Sequence, residues 1–200
     1  MIVSSRWKGF LGNSWFYSNF NRKEESIMTK HIKAIIFDWG DTLMRDLPFD
    51  GPMAYWEKVE VIPGAKEALE IVSKDYICCV ASNAGASNNE LLGIALNRVN
   101  LKEHFQYLFT SRELGVAKPN LDFFSKILEY LNLQPEECIM VGNDYEKDII
   151  PAKKVGLHTI LLTEEYNKKF FIHADFLISS MSNLMEVIYN FDTINVSNLH

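Results

Sequence analysis

Short apolar runs rich in β-branched and aromatic residues alternate with segments of helical periodicity from residue 33 onward, and this alternation is the strongest constraint on the fold. The runs predict strands at 33–38, 76–82, 106–111, 138–142, 157–162 and 176–179. The intervening segments predict helices at 63–73, 86–97, 119–131, from about 149 to 156, and 181–190. Because strands that alternate with helices form crossover units, we predict an α/β fold: a three-layer, Rossmann-like parallel sheet of about five to six strands with helices on both faces.

Length and composition agree with a single hydrophobic core. The chain has 200 residues, 48% of them hydrophobic and 23% charged, which is far from the composition of disordered chains. A formal net charge of −6 argues against a nucleic-acid partner, and no apolar run approaches the roughly 18 residues of a membrane span. The three cysteines, Cys78, Cys79 and Cys138, form no C-x-x-C pair and are expected to be buried, so we predict a cytoplasmic location.

The first 30 residues differ from the rest of the chain. They are rich in aromatic residues, Asn and Ser and lack a sustained apolar period, so we expect residues 1–30 to be a poorly ordered N-terminal extension. One hypothesis is that residues 1–27 precede an alternative start at Met28. The core domain is predicted at 31–192, with a minimal cap insertion at 43–62 and a tail at 193–200.

Polar residues stand where the predicted strands end. They are Asp38, Gly40, Asp41 and Thr42 after the first strand, Ser82 and Asn83 after the second, and Asn143, Asp144 and Asp148 after the fourth. Lys118 precedes Pro119 at a predicted helix start. Because parallel strands end at one edge, carboxylates, a hydroxyl and an ammonium group are expected to meet there. Crowded carboxylates need a cation, and oxygen ligands without Cys or His favour a hard one, Mg²⁺ before Ca²⁺.

This residue set suits phosphoryl transfer. An Asp carboxylate can attack phosphorus and form an aspartyl phosphate that water then hydrolyses. A hydroxyl and an ammonium group can stabilise charge on the transferring group. Each feature alone is weak, since an Asp after a strand is often a turn residue, and Asp148 is alternatively the N-cap of the helix predicted near Ile149.

Four segments in this order resemble the motifs of the haloacid-dehalogenase-like (HAD) hydrolase superfamily: FDWGDTL (37–43), VASN (80–83), KPN (118–120) and VGNDYEKD (141–148). The resemblance covers about residues 33–190. It implies that Asp38 is the nucleophile and a Mg²⁺ ligand, and that the Gly40 carbonyl, Asp144 and Asp148 complete the metal site. It also implies that Ser82, Asn83 and Lys118 bind substrate, with Lys118 counted among the catalytic residues.

The chain departs from the motifs of the superfamily at position 40. Phosphatases of this superfamily usually carry a general acid and base two residues after the nucleophile, where this chain has Gly40, and the nearest carboxylate is Asp41. Three interpretations stay open: Asp41 replaces the acid, the leaving groups need little protonation, or the domain is slow or catalytically silent. A second departure is Asn143, which holds a position often occupied by Asp in the superfamily.

Other branches of the superfamily fit less well. Its dehalogenases need no metal, so Asp144 and Asp148 argue against dehalogenase chemistry. Its phosphonate-cleaving members use a lysine from a cap domain, and the segment 43–62 leaves little room for such a domain. A capless or minimal-cap member has an open site. Phe49, Tyr55 and Trp56 in the 43–62 segment then fit a substrate wall, a homodimer contact or packing against the domain's own helices.

We therefore expect a Mg²⁺-dependent phosphoric-monoester hydrolase with a phosphorylated small molecule or macromolecule as substrate, and without a nucleic-acid or membrane partner. The alternative is a catalytically silent binding or regulatory module, which Gly40 favours. Retention of the five residues Asp38, Ser82, Lys118, Asp144 and Asp148 favours the enzyme. A phospho-accepting receiver domain is disfavoured because its acceptor Asp normally follows a later strand.

Overall fold

Six parallel strands form one sheet in the computed structural model, which describes residues 31–83, 85, 87–165 and 167–197. The strands are β1 (Ala34–Phe37), β2 (Ile77–Ser82), β3 (Tyr107–Thr110), β4 (Cys138–Gly142), β5 (His158–Leu162) and β6 (Phe176–Ile178). They lie in the order β3-β2-β1-β4-β5-β6. The predicted parallel α/β sheet is confirmed, and each strand lies within one residue of its predicted start or end. The expected N-terminal extension, 1–30, lies outside the described residues.

The helices follow the predicted order. They are α1 (Ala65–Val72), α2 (Asn89–Arg98), α3 (Ser111–Leu114), α4 (Leu121–Leu131), α5 (Ile150–Val155) and α6 (Leu184–Ser197). Pro151 lies in the first turn of α5, where no backbone N–H is needed, and Gly156 ends the helix with a φ of 108°. The one-turn helix α3 was not predicted from the sequence pattern. The last helix extends to Ser197, so it includes residues that were predicted to be a tail.

Alternate side chains of the strands enter two separate hydrophobic clusters. Ile35 and Phe37 of β1 pack in one cluster with α1, α2 and α6, whereas Ala34 and Ile36 pack in the other with α4 and α5. Because both faces of a parallel sheet are covered by helices, its strands are apolar throughout. The cysteines lie in these clusters, where burial raises the pKa of Cys78 to about 12 and that of Cys138 to about 12.

The strand order changes direction beside β1, and this places the polar residues. The chain moves from β1 to β2 and β3 on one side, then returns to β4, β5 and β6 on the other. Loops that leave β1 and β4 therefore diverge and open a crevice at the carboxyl edge of the sheet. Among the described residues, no helix is long and apolar enough to cross a membrane.

The segment 43–62 is a short loop rather than a folded unit of its own. Its ends are joined by hydrogen bonds from Arg45 N to Glu60 O (2.9 Å) and from Ile62 N to Leu43 O (2.9 Å). A single helical turn, Met53–Tyr55, lies against α2, whose Arg98 guanidinium donates to Met53 O at 3.0 Å. This segment covers one side of the crevice.

Candidate functional site

A cavity of about 470 Å³ lies at the carboxyl edge of the sheet, between the strand-end loops and the segment 43–62. Its lining includes five carboxylates and two ammonium groups: Asp38, Asp41, Asp46, Asp144, Asp148, Lys118 and Lys147. We call Asp38, Lys118 and Asp148 the deep cluster, and Asp41, Asp46, Asp144 and Lys147 the mouth. The predicted convergence of polar residues from separate strands is therefore present.

Lys118 is the centre of the deep cluster. Its ammonium Nζ donates to Asp38 Oδ1 (2.6 Å), to Asp148 Oδ1 (2.6 Å) and to the carbonyl of Ala81 (2.9 Å). The side chains of Lys118 and Asp148 are 2% and 1% exposed, whereas that of Asp38 is 13% exposed. All three ammonium protons are thus held by the protein, and Asp38 is the most exposed member of the cluster.

Burial and charge oppose each other in this cluster. Burial disfavours the ammonium form of Lys118, but the charges of Asp38 and Asp148 outweigh it and hold the Lys118 pKa above its ordinary value. Burial, followed by the charge of Asp38, raises the pKa of Asp148. Two carboxylates thus share one ammonium group, and the charge of Asp38 opposes the ionisation of Asp148.

Asn83 fixes the backbone of Lys118. Its side-chain amide donates to Lys118 O at 2.9 Å, and its side-chain oxygen accepts from Lys118 N at 2.8 Å. This pair of bonds ties the end of β2 to the loop before α4. Asn83 and Ser82 both line the cavity, and Ser82 is 5% exposed. The sequence prediction that both bind substrate stays a prediction, while the structure adds a positioning role for Asn83.

Two residues next to the deep cluster were not predicted as functional. The buried hydroxyl of Thr42 lies 3.2 Å from Asp38 Oδ2 and 3.1 Å from Asn143 Oδ1, and it accepts from Asn143 N at 3.1 Å. Thr42 thus joins the loops after β1 and β4. Gly142 lets Asp148 fold back on β4, because a Cβ at Gly142 would lie 2.7 Å from both Cβ and Cγ of Asp148. The signal for Thr42 was its position four residues after Asp38.

Asp144 and Asp148 have different environments although both follow β4. Asp144 begins the short π-helical turn Tyr145–Ile149 and accepts from Lys147 N at 2.9 Å and Lys147 Nζ at 2.7 Å. Burial opposes its charge, but the hydrogen bonds and charge of Lys147 outweigh burial and lower the Asp144 pKa. The interpretation of Asp148 as an N-cap is wrong, because its carboxylate accepts from Lys118 and from Asp144 N instead.

The loop after β1 brings two further carboxylates to the mouth. Asp41 has a φ of 54°, in the left-handed region, and its Oδ1 accepts from Asp46 N at 3.0 Å. Asp46 lies beside Gly40: a Cβ built at Gly40 would be 3.7 Å from Asp46 Cβ and 3.9 Å from Asp46 Oδ2. Partial burial, then the negative charges of Asp41 and Asp38, raises the pKa of Asp46. Sequence reasoning missed Asp46 because it is eight residues from Asp38.

Aromatic side chains form the apolar side of the cavity. Trp39 donates through Nε1 to Met53 Sδ at 2.9 Å, and Trp56 donates through Nε1 to Gly51 O at 2.9 Å. Both indoles are buried and line the cavity. Phe49 contacts Trp56 at a ring-centroid distance of 5.7 Å, whereas Tyr55 is 72% exposed and does not line the cavity. Trp56 therefore packs against its own domain and bounds the site.

The donor set suits a hard cation by its chemistry. The Gly40 loop and the side chains of Asp38, Asp144 and Asp148 supply only oxygen donors to one cavity. The excess of carboxylates over ammonium groups also favours an added cation. Among the described residues, however, no group of three or more His, Cys, Asp or Glu stands in an arrangement that could hold a metal ion. In this structure the carboxylate of Asp144 forms an ion pair with the Lys147 ammonium group.

Comparison with known proteins gives consistent matches. The family model described as haloacid dehalogenase-like hydrolase matches residues 49–162. The chain is 34% identical over 103 residues to haloacid dehalogenase-like hydrolase domain-containing protein 3 of Xenopus laevis, covering 51% of this chain and 41% of that protein. It is 33% identical over 97 residues to glyceraldehyde 3-phosphate phosphatase of Methanocaldococcus jannaschii, covering 48% and 42% respectively. The matched parts thus span less than half the length of either relative.

The fold is shared with a solved structure. The putative HAD-hydrolase YfnB from Bacillus subtilis, bound to magnesium, matches with a TM-score of 0.64 and 14% identity, over 78% of this chain and 98% of that chain. At this identity the similarity establishes the common fold of the two chains.

Proposed function

The chain belongs to the haloacid dehalogenase-like hydrolase family, and from this premise we propose that it is a Mg²⁺-dependent phosphatase that hydrolyses phosphoric monoesters through Asp38. Glyceraldehyde 3-phosphate phosphatase is among its relatives, which supports a small phosphorylated substrate. Its acidic cavity does not favour nucleic acid. A cytoplasmic location is part of the proposal.

The observation that carries the proposal is the position of Asp38 in the deep cluster. Its carboxylate is held by Lys118 at 2.6 Å, yet it keeps 13% of its side-chain surface open to the cavity. Asp148 is bound to the same ammonium group but is closed off at 1% exposure. A nucleophile must be both oriented and accessible, and within the deep cluster Asp38 meets both conditions.

Charge supports the need for a metal ion. Among the described residues, five carboxylates and two ammonium groups line the cavity, so a phosphate dianion would enter a negative site unless a cation were added. The residues that would hold Mg²⁺ are Asp38, Asp144, Asp148 and the carbonyl of Gly40. When bound, the ion would offset the negative charge of the transferring phosphoryl group. Asp144 would exchange its ion pair with Lys147 for the metal.

The other residues would orient the reaction. Lys118 and Thr42 hold the two oxygens of the Asp38 carboxylate, at 2.6 Å and 3.2 Å, and so limit its rotation. Attack of Asp38 on phosphorus would expel the alcohol and leave an aspartyl phosphate for water to cleave. The Ser82 hydroxyl lines the cavity and would donate to a phosphoryl oxygen. Trp39 and Trp56 would limit the size and bulk of the leaving group.

The test is hydrolysis of 4-nitrophenyl phosphate by the full chain with Mg²⁺ and with EDTA, beside Asp38→Asn. Asparagine keeps an oxygen that accepts from Lys118 but cannot attack phosphorus. We expect metal-dependent turnover that falls by roughly a thousandfold or more in Asp38→Asn, with an unchanged circular dichroism spectrum. The matched control is Asp50→Asn, an exposed carboxylate outside the cavity, which should retain wild-type turnover.

A nitrophenolate leaving group scarcely needs protonation, so this substrate reports the nucleophile without a requirement for a general acid. Equal turnover in Asp38→Asn and wild type would remove Asp38 as the nucleophile. No turnover by folded, Mg²⁺-loaded wild type would favour a binding or regulatory module instead.

A further inference from the structure

Most natural phosphoric monoesters have alkyl leaving groups, and these leave slowly as alkoxides. A group in the cavity must therefore give a proton to the leaving oxygen, and the same group can later take a proton from the attacking water. The role of that group rests on the proposed function, because it requires that Asp38 attack a phosphoric monoester.

Of the five carboxylates that line the cavity among the described residues, four already accept hydrogen bonds. Asp38 and Asp148 bind the Lys118 ammonium group, and Asp144 binds that of Lys147. Asp41 Oδ1 accepts from Asp46 N. Among the described residues, the carboxylate of Asp46 has no hydrogen-bond or ion-pair partner. Asp46 is therefore the cavity carboxylate that is free to exchange a proton.

Asp46 lies beside the backbone of Gly40. A Cβ built at Gly40 would lie at ordinary contact distance, 3.7–3.9 Å, from Cβ, Cγ and Oδ2 of Asp46, so the Asp46 side chain lies next to the place where a side chain at position 40 would begin. Asp46 is exposed at the mouth and lines the same cavity as Asp38. It can thus meet a leaving group that points outward from phosphorus.

Asp41 acts on the position of Asp46. Its left-handed backbone, with a φ of 54°, turns the loop, and its Oδ1 receives the backbone N–H of Asp46 at 3.0 Å. This bond closes a short turn over 41–46 and holds the backbone of Asp46 in place. A carboxylate that already accepts a hydrogen bond within the loop is a less suitable proton donor than one that has no partner.

We propose that Asp46 is the general acid and general base of this site, that it acts from the space left open by Gly40, and that Asp41 is its positioning residue. The alternative is that Asp46 is a solvent-exposed loop carboxylate that takes no part in the reaction.

Each step balances. In the first, an Asp38 carboxylate oxygen bonds to phosphorus, the bond from phosphorus to the leaving oxygen breaks, and that oxygen keeps the electron pair and takes the proton of Asp46. The products are an alcohol, the aspartyl phosphate and the Asp46 carboxylate. In the second, Asp46 takes a proton from water as the water oxygen bonds to phosphorus. The bond to Asp38 breaks, and inorganic phosphate, the Asp38 carboxylate and protonated Asp46 are restored.

The experiment compares Asp46→Asn with wild type and with the control Asp50→Asn on two substrates, glycerol 3-phosphate and 4-nitrophenyl phosphate. The measured quantity is kcat/KM, which reports the first step. For glycerol 3-phosphate we expect Asp46→Asn to lower kcat/KM by about 10²–10⁴, the usual worth of a general acid. For 4-nitrophenyl phosphate the loss should be under about tenfold, since its leaving group needs little protonation.

A burst measurement gives a readout that a structural role would not produce. If Asp46 also serves as the base, Asp46→Asn should release about one nitrophenolate per active site quickly and then turn over slowly, as the aspartyl phosphate accumulates. Relocation of the carboxylate in the double variant Gly40→Asp, Asp46→Ala should restore turnover of glycerol 3-phosphate, because the alanine vacates the space that the new aspartate needs.

The outcomes separate the two proposals. Wild-type hydrolysis that depends on Asp38, with equal kcat/KM losses on both substrates or no loss in Asp46→Asn, would overturn the role of Asp46 and leave the proposed function intact. Absence of Asp38-dependent hydrolysis in wild type and in Asp50→Asn would overturn both. Selective loss on glycerol 3-phosphate, with the burst, supports Asp46.

Discussion

At the bottom of the cavity, Lys118 lies between two carboxylates with 2% of its side chain exposed, whereas at the mouth Lys147 pairs with Asp144 and is 56% exposed. The deep ammonium group is almost completely buried and donates hydrogen bonds to three protein oxygens. The outer one can exchange its partner for water or a metal ion at little cost. The same two residue types therefore form a fixed scaffold in one region and an adjustable surface in the other.

This difference bears on where the chemistry can change. Removal of the Lys118 ammonium group would leave Asp38 and Asp148 without a cation, so the deep cluster tolerates little variation at this position. At the mouth Asp46 is exposed, whereas Asp41 and Asp144 are half-buried, so solvent screens their interactions more than those of the deep cluster. A general acid can therefore shift from one loop position to another at the mouth while the nucleophile and its lysine stay in place.

The largest contrast is expected between two lysine substitutions. Lys118→Met should lower the free energy of unfolding by about 3–5 kcal/mol, because Asp38 and Asp148 would be left facing each other without a cation. Lys147→Met should cost about 1 kcal/mol or less, as is usual for an exposed ion pair. Urea denaturation of both variants in EDTA measures the two effects without compensation by a metal ion. Similar losses in the two variants would contradict the division into a fixed and an adjustable region.

A smaller effect is expected from a methyl group at Gly142. Gly142→Ala would place Cβ 2.7 Å from Cβ and Cγ of Asp148, so the deep cluster must shift. We expect a loss of about 1–3 kcal/mol in unfolding free energy, the usual cost of overpacking, together with reduced turnover of 4-nitrophenyl phosphate.

The matched control for this variant is Gly93→Ala in helix α2, where the new Cβ would meet only ordinary contacts, the nearest at 3.6 Å. It should be neutral or stabilising by up to about 1 kcal/mol, because alanine is the better helix former. A Gly142→Ala protein as stable and active as this control would show that Asp148 does not depend on the close approach to β4.

The smallest effect concerns the metal requirement at the mouth. If Asp144 exchanges Lys147 for Mg²⁺, Lys147→Met should lower the Mg²⁺ concentration for half-maximal turnover by about three- to fivefold, the worth of a weak ion pair. Asp144→Asn should raise that concentration, because a neutral amide is a weaker ligand for a hard cation. Titration of Mg²⁺ against turnover measures both shifts. A rise in the Mg²⁺ requirement of Lys147→Met would instead place Lys147 among the groups that bind the phosphate.

The arrangement of secondary structure could be predicted closely because it depends on local pattern. The strand at Cys138–Gly142 agrees with its prediction at both ends, since the apolar run is bounded by Glu137 and Asn143. Pro151 and Gly156 marked the two ends of α5 for reasons that act within one turn of helix. The π-helical turn Tyr145–Ile149 was not predicted, because it follows from the bonds that Asp144 and Asp148 make in the folded site.

The candidate site, like the secondary structure, could be predicted only in part. That Asp38, Lys118 and Asp148 meet could be expected, because parallel strands end at one edge whatever their separation along the chain. Which partner each would take could not be predicted. Lys118 and Asp38 are 80 residues apart, and Thr42 and Asn143 are 101 apart, so their hydrogen bonds depend on how the loops pack.

The sequence by itself thus determined the order of the elements and the edge at which the polar residues gather, since periodicity and turn chemistry act over a few residues. Only the tertiary structure decided that Asn83 holds the Lys118 backbone, that Asp144 pairs with Lys147 and that Asp46 takes the space beside Gly40. These are matters of distances of a few ångströms between separate loops. They are set by the packing of the whole sheet and its helices, which no local pattern records.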